Sequence, residues 1–399
     1  MQAPKPHHIG VRALLAGAAF ALSLNAQADA ITDWNAKVGE FITEAKLGTP
    51  PAVRVMAIVQ TAAHDAVVAA QRGESREAAV AAAHRTALLK LMPAQQAAID
   101  AAYQAALASI ADGPAKAAGL AAGEKAAAAV LAARLNDGAA TPESYRPHTT
   151  AGAYVPTATP AIPQWPQRKP WLMASPAQFR PGPPPALTSD AWAREFDEVK
   201  LMGARQSAKR SAEQTETARF WEYSLPAIYF GVVRSVAAQP SRSLLQNARL
   251  YAAAAQAMDD ALIAVFDAKY HYNFWRPVTA IRNGDIDGND ATARDASWAP
   301  LIDNPMHPEY PSGHSILAAA VAEVLRAEIG RGPTPVLTTM SPTAKGAVRR
   351  WTSLDDFTRE VNDARVFAGI HFRSATEVGM AMGRKIGELA ATRYLQNPL

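Results

Sequence analysis

The sequence predicts an all-α protein built from helical bundles, and three observations lead to this prediction. Alanine dominates long stretches of the 399-residue chain. Within them apolar residues recur at three- and four-residue spacing, as between Val53 and Ala62, which is the period of a helix with one buried face. No stretch shows the sustained alternation of β-branched residues that marks strands. Helices with one apolar stripe bury it by packing together as bundles.

The first thirty residues are predicted to be a secretory signal peptide and are set apart from the fold. Lys5 and Arg12 are followed by an apolar run over residues 13–24 and by small residues that fit cleavage at Ala28 or Ala30. The run is too short to span a membrane. We therefore expect a periplasmic or secreted protein without a membrane span in its mature chain. An uncleaved N-terminal anchor is the alternative.

The composition excludes several classes of function. The chain has no cysteine, which rules out disulfides, thiolate metal sites and cysteine nucleophiles. Its formal net charge of +4 comes without any run of basic residues, and this disfavours nucleic-acid binding. A chain of this length can bury a core large enough to fold without disulfides.

The chain changes character after its first helical region. Residues 31–140 have the pattern of Ala-rich helices, whereas the segment 154–186 is rich in proline, with ten prolines between Pro156 and Pro185 and tryptophans among them. Proline at this density forbids helix interiors and central strands. We expect an ordered, extended segment that wraps across the helices. A linker between domains is the alternative.

Helical patterns resume at Ser189, a predicted N-cap, and a long Ala-rich helix is expected over residues 242–268. The last helix is expected to begin at a capping box formed by Ser374 and Glu377. We expect residues 31–399 to form a single domain.

Three short motifs follow one another within residues 269–377, and together they predict an oxyanion site. The motifs are K-x6-R-P, P-S-G-H and R-x5-H. Their candidate site residues are Lys269, Arg276, Ser312, Gly313, His314, Arg365 and His371. Arginine and lysine bind the oxygens of tetrahedral or trigonal-bipyramidal anions, and a helix N-terminus adds N–H donors. The alternative is that the cations are solvated helix residues and the histidines are unrelated.

The neighbouring prolines predict how two of these motifs are presented. A helical run over residues 315–325 places Ser312 and Gly313 at its first turn, where a hydroxyl and a glycine N–H face an anion on the helix axis. Pro277 is expected to end the preceding helix at Arg276, so that the arginine leaves the helix end.

In order and spacing, the motifs resemble those of the vanadium-dependent haloperoxidases and the type 2 phosphatidic acid phosphatases. The resemblance implies the haloperoxidase architecture of two four-helix bundles and a vanadate or phosphate held by Lys269, Arg276, Ser312, Gly313, His314 and Arg365. It further implies that His371, which a break after Phe367 is expected to place in a loop, is the ligand of vanadium or a phosphorylated nucleophile. His314 would act as acid or base, and Lys269 would polarise the peroxide.

One departure from the phosphatase pattern S-R-x5-H-x3-D bears on the choice between the two. The first and last positions are Ala364 and Ala375 here, so the carboxylate that would orient His371 is missing. We expect Glu377 or a main-chain carbonyl to replace it.

A metal ligand needs mainly the correct tautomer, and the flanking sequences resemble exported haloperoxidases. We therefore expect vanadate-dependent oxidation of halide by hydrogen peroxide, with a small organic molecule as acceptor. An acid phosphatase acting on a phosphate ester is the first alternative, and a non-catalytic phosphate-binding protein is the second.

His307 stands five residues before Ser312. The resemblance implies that this position is aromatic in chloride-oxidising enzymes and a histidine in bromide-oxidising ones. We expect His307 to compete for the hydrogen bonds of Lys269 and to favour bromide and iodide over chloride. Alternatively, His307 merely begins the loop before a proline.

Overall fold

One long helix, α9 (Leu244–Tyr272), is the centre of this computed structural model, which describes residues 29–396. It is buried almost without interruption from Asn247 to Lys269. Its many alanines let other helices approach on every side, as expected for a helix that is apolar all round. Ser243 and Gln246 form a capping box at its N-terminus. The predicted long helix is therefore confirmed, and it continues one turn beyond residue 268.

The first group of helices precedes the proline-rich segment. It consists of α1 (Ala30–Glu44), α2 (Thr49–Ala69), α3 (Arg76–Leu91), α4 (Gln96–Ala108) and α5 (Pro114–Ala133). Helices α2, α3 and α5 pack against one another, and α2 also packs against α9. Most of the predicted signal peptide, residues 1–28, lies outside the described residues.

Within residues 29–396, α2 is long and apolar enough to cross a membrane by length and composition. Its most apolar window is 72% buried inside the fold, where α3, α5 and α9 cover it. Burial of this kind is typical of a core helix.

Residues 134–189, all of them described, contain no α-helix and follow the course of α9. Arg168 pairs with Asp259 on α9, and Arg180 pairs with Asp267 two turns further along. The side chain of Asp260 accepts hydrogen bonds from three successive main-chain N–H groups of this segment, those of residues 171–173. Charged contacts with α9 therefore hold the proline-rich segment against the helices, and turns and bends rather than continuous extended chain make up its central part.

The second group of helices follows this segment and includes α9. Its other members are α6 (Asp190–Met202), α7 (Ala212–Phe220), α8 (Ala227–Ala237), α10 (Pro277–Arg282), α11 (Gly313–Ile329), α12 (Leu354–Phe367) and α13 (Arg373–Tyr394). Helices α11 and α13 pack closely against each other and against α9. A Cβ on Gly379 would lie 2.7 Å from the carbonyl oxygen of Ser312, so glycine is needed for α13 to approach the start of α11.

A two-stranded antiparallel hairpin interrupts the helical pattern. Strand β1 (Leu337–Ser341) pairs with β2 (Ala347–Trp351), and β1 packs against α8. Lys345 and Gly346 form the turn with positive φ angles. Strands of five residues are too short for their alternation to stand out in the sequence. Apart from this hairpin, the prediction of a helical-bundle fold is confirmed, and because α9 packs against both groups we retain the prediction of one domain.

Candidate active site

Lys269 lies in the last turn of α9 and is fully buried. Its Nζ donates hydrogen bonds to the main-chain carbonyls of Pro308 at 2.9 Å and Glu309 at 2.8 Å. The helix ends at Tyr272, and Arg276 is the N-cap of α10, whose first residue is Pro277. Pro277 therefore begins a helix, and the expectation that it ends one at Arg276 was wrong. The arginine does leave the helix, as expected.

Arg276 joins the end of α9 to two distant loops. Its Nε donates to the carbonyl of His307 at 3.0 Å, and its Nη1 donates to the carbonyl of Ile370 at 2.8 Å. Nη1 also lies 3.3 Å from Nε2 of His371. Because a guanidinium can only donate, Nε2 of His371 is the acceptor in this contact.

Ser312 and Gly313 begin α11 as predicted. Ser312 is its N-cap, and the Oγ of Ser315 donates to the Ser312 Oγ at 3.0 Å. The hydroxyl hydrogen of Ser312 is therefore left to donate elsewhere. A Cβ placed on Gly313 would meet no atom within 4 Å. The first turn of α11 thus faces open space, toward which its free N–H groups can donate.

His314 is the second residue of α11. Its Nε2 is inaccessible to solvent and has no hydrogen-bond partner among the described residues. Burial, and next the charge of Arg365, lower the pKa of His314 well below its usual value, while a hydrogen bond to the main chain of Tyr223 opposes the shift. The ring is therefore neutral, with one nitrogen available.

Arg365 is fully buried in the last turn of α12, which ends at Phe367. Gly369 follows with a φ of 77°, and a side chain there would meet the carbonyl oxygen of Gly203 at 2.4 Å. The predicted break is confirmed, and glycine makes it possible. Nη1 of Arg365 donates to the carbonyl of Trp221, whereas its Nε has no partner in the described part of the chain.

His371 follows this break and is oriented by a residue that the sequence did not point to. Nδ1 of His371 lies 2.7 Å from Oε1 of Glu309, which also accepts the main-chain N–H of Phe372 at 3.0 Å. Glu309 is fully buried. It takes the place expected for Glu377 or a main-chain carbonyl. The only signal for it was its position inside the motif H-P-E-Y-P-S-G-H.

The predicted capping box of the last helix does not form. The N-cap of α13 is Phe372, which makes no side-chain cap. Ser374 instead gives both its N–H and its hydroxyl to Glu195 on α6, at 3.2 Å and 2.7 Å. A carboxylate from another helix therefore satisfies the first turn, and local spacing alone could not show this.

The site concentrates positive charge away from water. Lys269, Arg276 and Arg365 are all at most 1% exposed, and each lowers the pKa of His371, as burial does first. Burial, and next the charge of Arg276, lower the pKa of Lys269 well below its usual value, and burial lowers the pKa of both arginines to about 10, so charge on all three groups is costly until an anion pairs with it. Burial also raises the pKa of Glu309 to about 8, against the opposing influence of the cations. Three buried cations beside one buried carboxylate favour an additional anion, because unpaired buried charge is costly.

The same residues are unsuited to a bare metal cation. Residues 29–396 contain no group of three or more histidine, cysteine, aspartate or glutamate side chains placed to hold a metal ion. The three motifs therefore bring their basic residues together around His371, and this neutral histidine presents a nitrogen toward Arg276.

His307 lies beside Arg276, next to the buried basic residues. It is half-buried, its ring centre is 5.1 Å from that of Phe266, and its Nδ1 is 3.0 Å from Nη2 of Arg276. Burial, and next the charge of Lys269, lower its pKa well below the usual value. Its Nδ1 contacts Arg276 and, at 3.1 Å, the carbonyl of Pro308, whereas Lys269 is held by main-chain carbonyls. The expected competition for the hydrogen bonds of Lys269 is therefore replaced by a contact with Arg276.

Comparison with known proteins supports a common origin for the site region. Residues 249–397, which include all three motifs, match the family model described as the VCPO second helical-bundle domain. The vanadium chloroperoxidase of Curvularia inaequalis is 32% identical over 175 residues, a match that covers 36% of this chain and 28% of that protein. The chain thus spans little more than a quarter of this curated relative.

Solved structures extend the similarity to the whole fold. The crystal structure of a bacterial vanadium-dependent iodoperoxidase superposes with a TM-score of 0.78 at 25% identity, covering 91% of this chain and 95% of that one. An apo bacterial vanadium-dependent chloroperoxidase gives a TM-score of 0.71 at 19% identity, covering 88% and 96%. At that identity, the second likeness shows the fold alone.

Proposed function

We propose that this chain, whose residues 249–397 match the VCPO second helical-bundle domain, uses vanadate to oxidise halide with hydrogen peroxide and forms hypohalous acid. The observation that carries the proposal is the burial of Lys269, Arg276 and Arg365 around the Nε2 of His371. An anion such as vanadate would neutralise the three buried cations and would also bond to the Nε2 of His371.

The residues present fit vanadate by their chemistry. Arg365 Nε and the first turn of α11 offer donors that the protein itself does not use. Lys269 and Arg276 add charge, and charge-assisted hydrogen bonds to oxyanions are stronger than neutral ones. His371 is neutral and presents Nε2, the form in which imidazole binds a metal. These residues, with Ser312 and Gly313, would hold the anion.

When bound, vanadate supplies a Lewis acid that activates hydrogen peroxide without changing its own oxidation state. The protein supplies the rest. Neutral His314, with its free Nε2, can take a proton from the peroxide and later return it. The buried charge of Lys269 withdraws electrons from the oxygens near it, and exclusion of water strengthens this effect.

A phosphatase of the same fold is the second candidate, and one observation favours it. The missing carboxylate at Ala375 argued against a nucleophilic histidine, but Glu309 provides one to His371 at 2.7 Å. Nε2 of His371 would then attack the phosphorus of a phosphate ester and the bond to the leaving oxygen would break. His314 would protonate that oxygen only after taking up a proton itself beside the bound anion. A purely phosphate-binding protein would have no use for the free Nε2 of His314.

We also propose that halide choice favours bromide and iodide. The support is the polar ring of His307 against Arg276, at a position where the resemblance implies an aromatic residue in chloride-oxidising enzymes. Export to the periplasm or the medium is likewise a proposal, supported by residues 1–30. Comparing the N-terminus of the protein recovered from a periplasmic fraction with Met1 tests this second point.

The deciding experiment compares two activities of one preparation. The vanadate-loaded protein is assayed for peroxide- and bromide-dependent halogenation of a phenolic acceptor, and the vanadate-free protein for hydrolysis of p-nitrophenyl phosphate. We expect halogenation that inorganic phosphate suppresses by competing for the same site. Fast ester hydrolysis together with no halogenation would establish the phosphatase. Halogenation that resists a large excess of phosphate would contradict the shared anion site.

A further inference from the structure

The side chain of Glu309 makes both of its hydrogen bonds through one oxygen, and its partners are the adjacent residues His371 and Phe372. Oε1 lies 2.7 Å from Nδ1 of His371 and accepts the N–H of Phe372 at 3.0 Å. We propose that Glu309 is the positioning residue of this site, which holds the proton of His371 on Nδ1 and so directs the Nε2 lone pair at the bound anion. The part of this inference that concerns vanadate rests on the proposed function.

Two contacts on opposite sides of the imidazole agree on the same tautomer. Nη1 of Arg276 lies 3.3 Å from Nε2 and can only donate, so Nε2 carries no proton. Oε1 of Glu309 accepts the main-chain N–H of Phe372 and therefore acts as an acceptor toward Nδ1 as well, so Nδ1 carries the proton. Neither contact depends on the other, and the ring has no freedom to exchange the two nitrogens without losing both.

Glu309 is itself fixed by its main chain. Its N–H donates to the carbonyl of Phe274 at 2.9 Å, and its carbonyl accepts from Nζ of Lys269 at 2.8 Å. The residue is 0% exposed. One residue therefore sets the positions of the ammonium group and the imidazole, through two different groups. A buried carboxylate that merely filled space would be destabilising without such partners.

The charge of Glu309 allows its positioning role to be separated from electrostatics. A buried negative charge beside an anion site weakens the binding of every anion. If Glu309 did nothing else, its removal would tighten the binding of all oxyanions above its pKa of about 8, where the carboxyl is charged, and would leave their binding unchanged below it. Sulfate binds through hydrogen bonds alone, whereas vanadate can also bond to a histidine nitrogen. Loss of positioning should therefore weaken vanadate binding and leave sulfate binding unchanged or tighter.

The test uses Glu309→Ala and Glu309→Gln. Removing the partner that orients a metal-binding histidine typically weakens metal affinity about 10- to 100-fold, and we expect a loss in this range for vanadate in Glu309→Ala. Sulfate, measured by calorimetry on the vanadate-free protein, should bind as tightly as to the wild type or more tightly. Glu309→Gln keeps an acceptor oxygen at nearly the same volume, and should retain most of the vanadate affinity.

A second readout needs no vanadate. Nitrogen-15 NMR of labelled histidines, with the His371 signals identified by their loss in His371→Ala, should show the Nδ1-protonated tautomer in the wild type and a mixture in Glu309→Ala. Glu195→Gln is the matched control, since it removes a carboxylate that binds Ser374 in the same turn without touching His371. We expect it to leave both readouts unchanged.

Three results would overturn the inference. They are an unchanged tautomer in Glu309→Ala, unchanged vanadate affinity, or a parallel loss of vanadate and sulfate that indicates a collapsed site. If the wild type binds no vanadate, the proposed function fails, and the tautomer measurement alone then decides the role of Glu309.

Discussion

Arg276 and His371 are 95 residues apart in the chain, yet Nη1 of the arginine lies 3.3 Å from Nε2 of the histidine. The arginine also donates to the carbonyl of Ile370 and thereby fixes the loop between α12 and α13. The contact places a permanent charge beside the proposed metal-binding nitrogen. The contact also joins the motif K-x6-R-P, which contains Arg276, to the motif R-x5-H, which contains His371.

Replacing this arginine should weaken anion binding without abolishing the fold. Hydrogen bonds to charged groups contribute about 1.5–3 kcal/mol, so Arg276→Met should lower vanadate affinity about 10- to 100-fold. Arg276→Lys keeps the charge but not the fork and should fall in between. Equilibrium dialysis with orthovanadate measures the effect. Arg282→Met is the control, because Arg282 is the last residue of the short helix that Arg276 precedes and donates to the carbonyl of Trp298. Equal losses in both variants would contradict the assignment.

His307 should affect which halide is oxidised. In the wild type we expect bromide and iodide to be oxidised well and chloride poorly. His307→Phe removes the ring nitrogen that lies 3.0 Å from Nη2 of Arg276, which frees that donor for the anion and makes the surroundings drier. The ratio of chloride to bromide turnover should therefore rise in the variant at mildly acidic pH. Efficient chloride oxidation by the wild type would show that His307 does not limit halide choice.

The sequence sufficed for those site residues whose placement is local. Ser312 and Gly313 could be assigned to a helix start because a proline precedes them and an apolar run follows. The break before His371 could be predicted because Gly369 interrupts a helical pattern, and the structure shows that only glycine fits there. The cations were predicted to meet because their motifs resemble a known site.

Glu309 could not be predicted in the same way, because its partner is 62 residues away in the chain. Its contact with His371 arises only when the loop before α11 packs beside the start of α13. The same reason explains Ser374, whose partner Glu195 comes from α6. Propensity and spacing report neighbours along the chain, and these contacts depend on tertiary packing.

The proline-rich segment should contribute to stability through its buried ion pair. Arg168 and Asp259 both have fully buried side chains, and the pair is bidentate. Removing one partner of a buried pair destabilises a protein by about 3–5 kcal/mol, which we expect for Arg168→Met in urea unfolding. Arg85→Met is the matched control, since its partner Asp100 is one-third exposed and such pairs contribute at most about 1 kcal/mol. Similar unfolding midpoints for both variants would be inconsistent with a structural role for this contact.

His84 should make the fold sensitive to acid. The ring is buried against Trp34, and burial lowers its pKa from 6.5 to about 4. Between these values the unfolded chain binds a proton that the folded chain does not, so stability is full above pH 6.5 and falls as the pH drops toward 4. The shift corresponds to about 3 kcal/mol. Unfolding of the wild type and of His84→Leu at pH 7 and pH 4 should show a smaller loss in the variant; identical losses would refute the assignment.

The central claim is that His371 forms the bond between protein and vanadium. Its most direct test is the vanadate affinity of His371→Ala, measured by equilibrium dialysis beside sulfate affinity in the same variant. We predict that vanadate binding weakens at least about 10-fold, the lower end of the range for disturbing a metal-binding histidine. Sulfate, held by Lys269, Arg276 and Arg365, should remain bound. Vanadate affinity equal to that of the wild type would contradict the account.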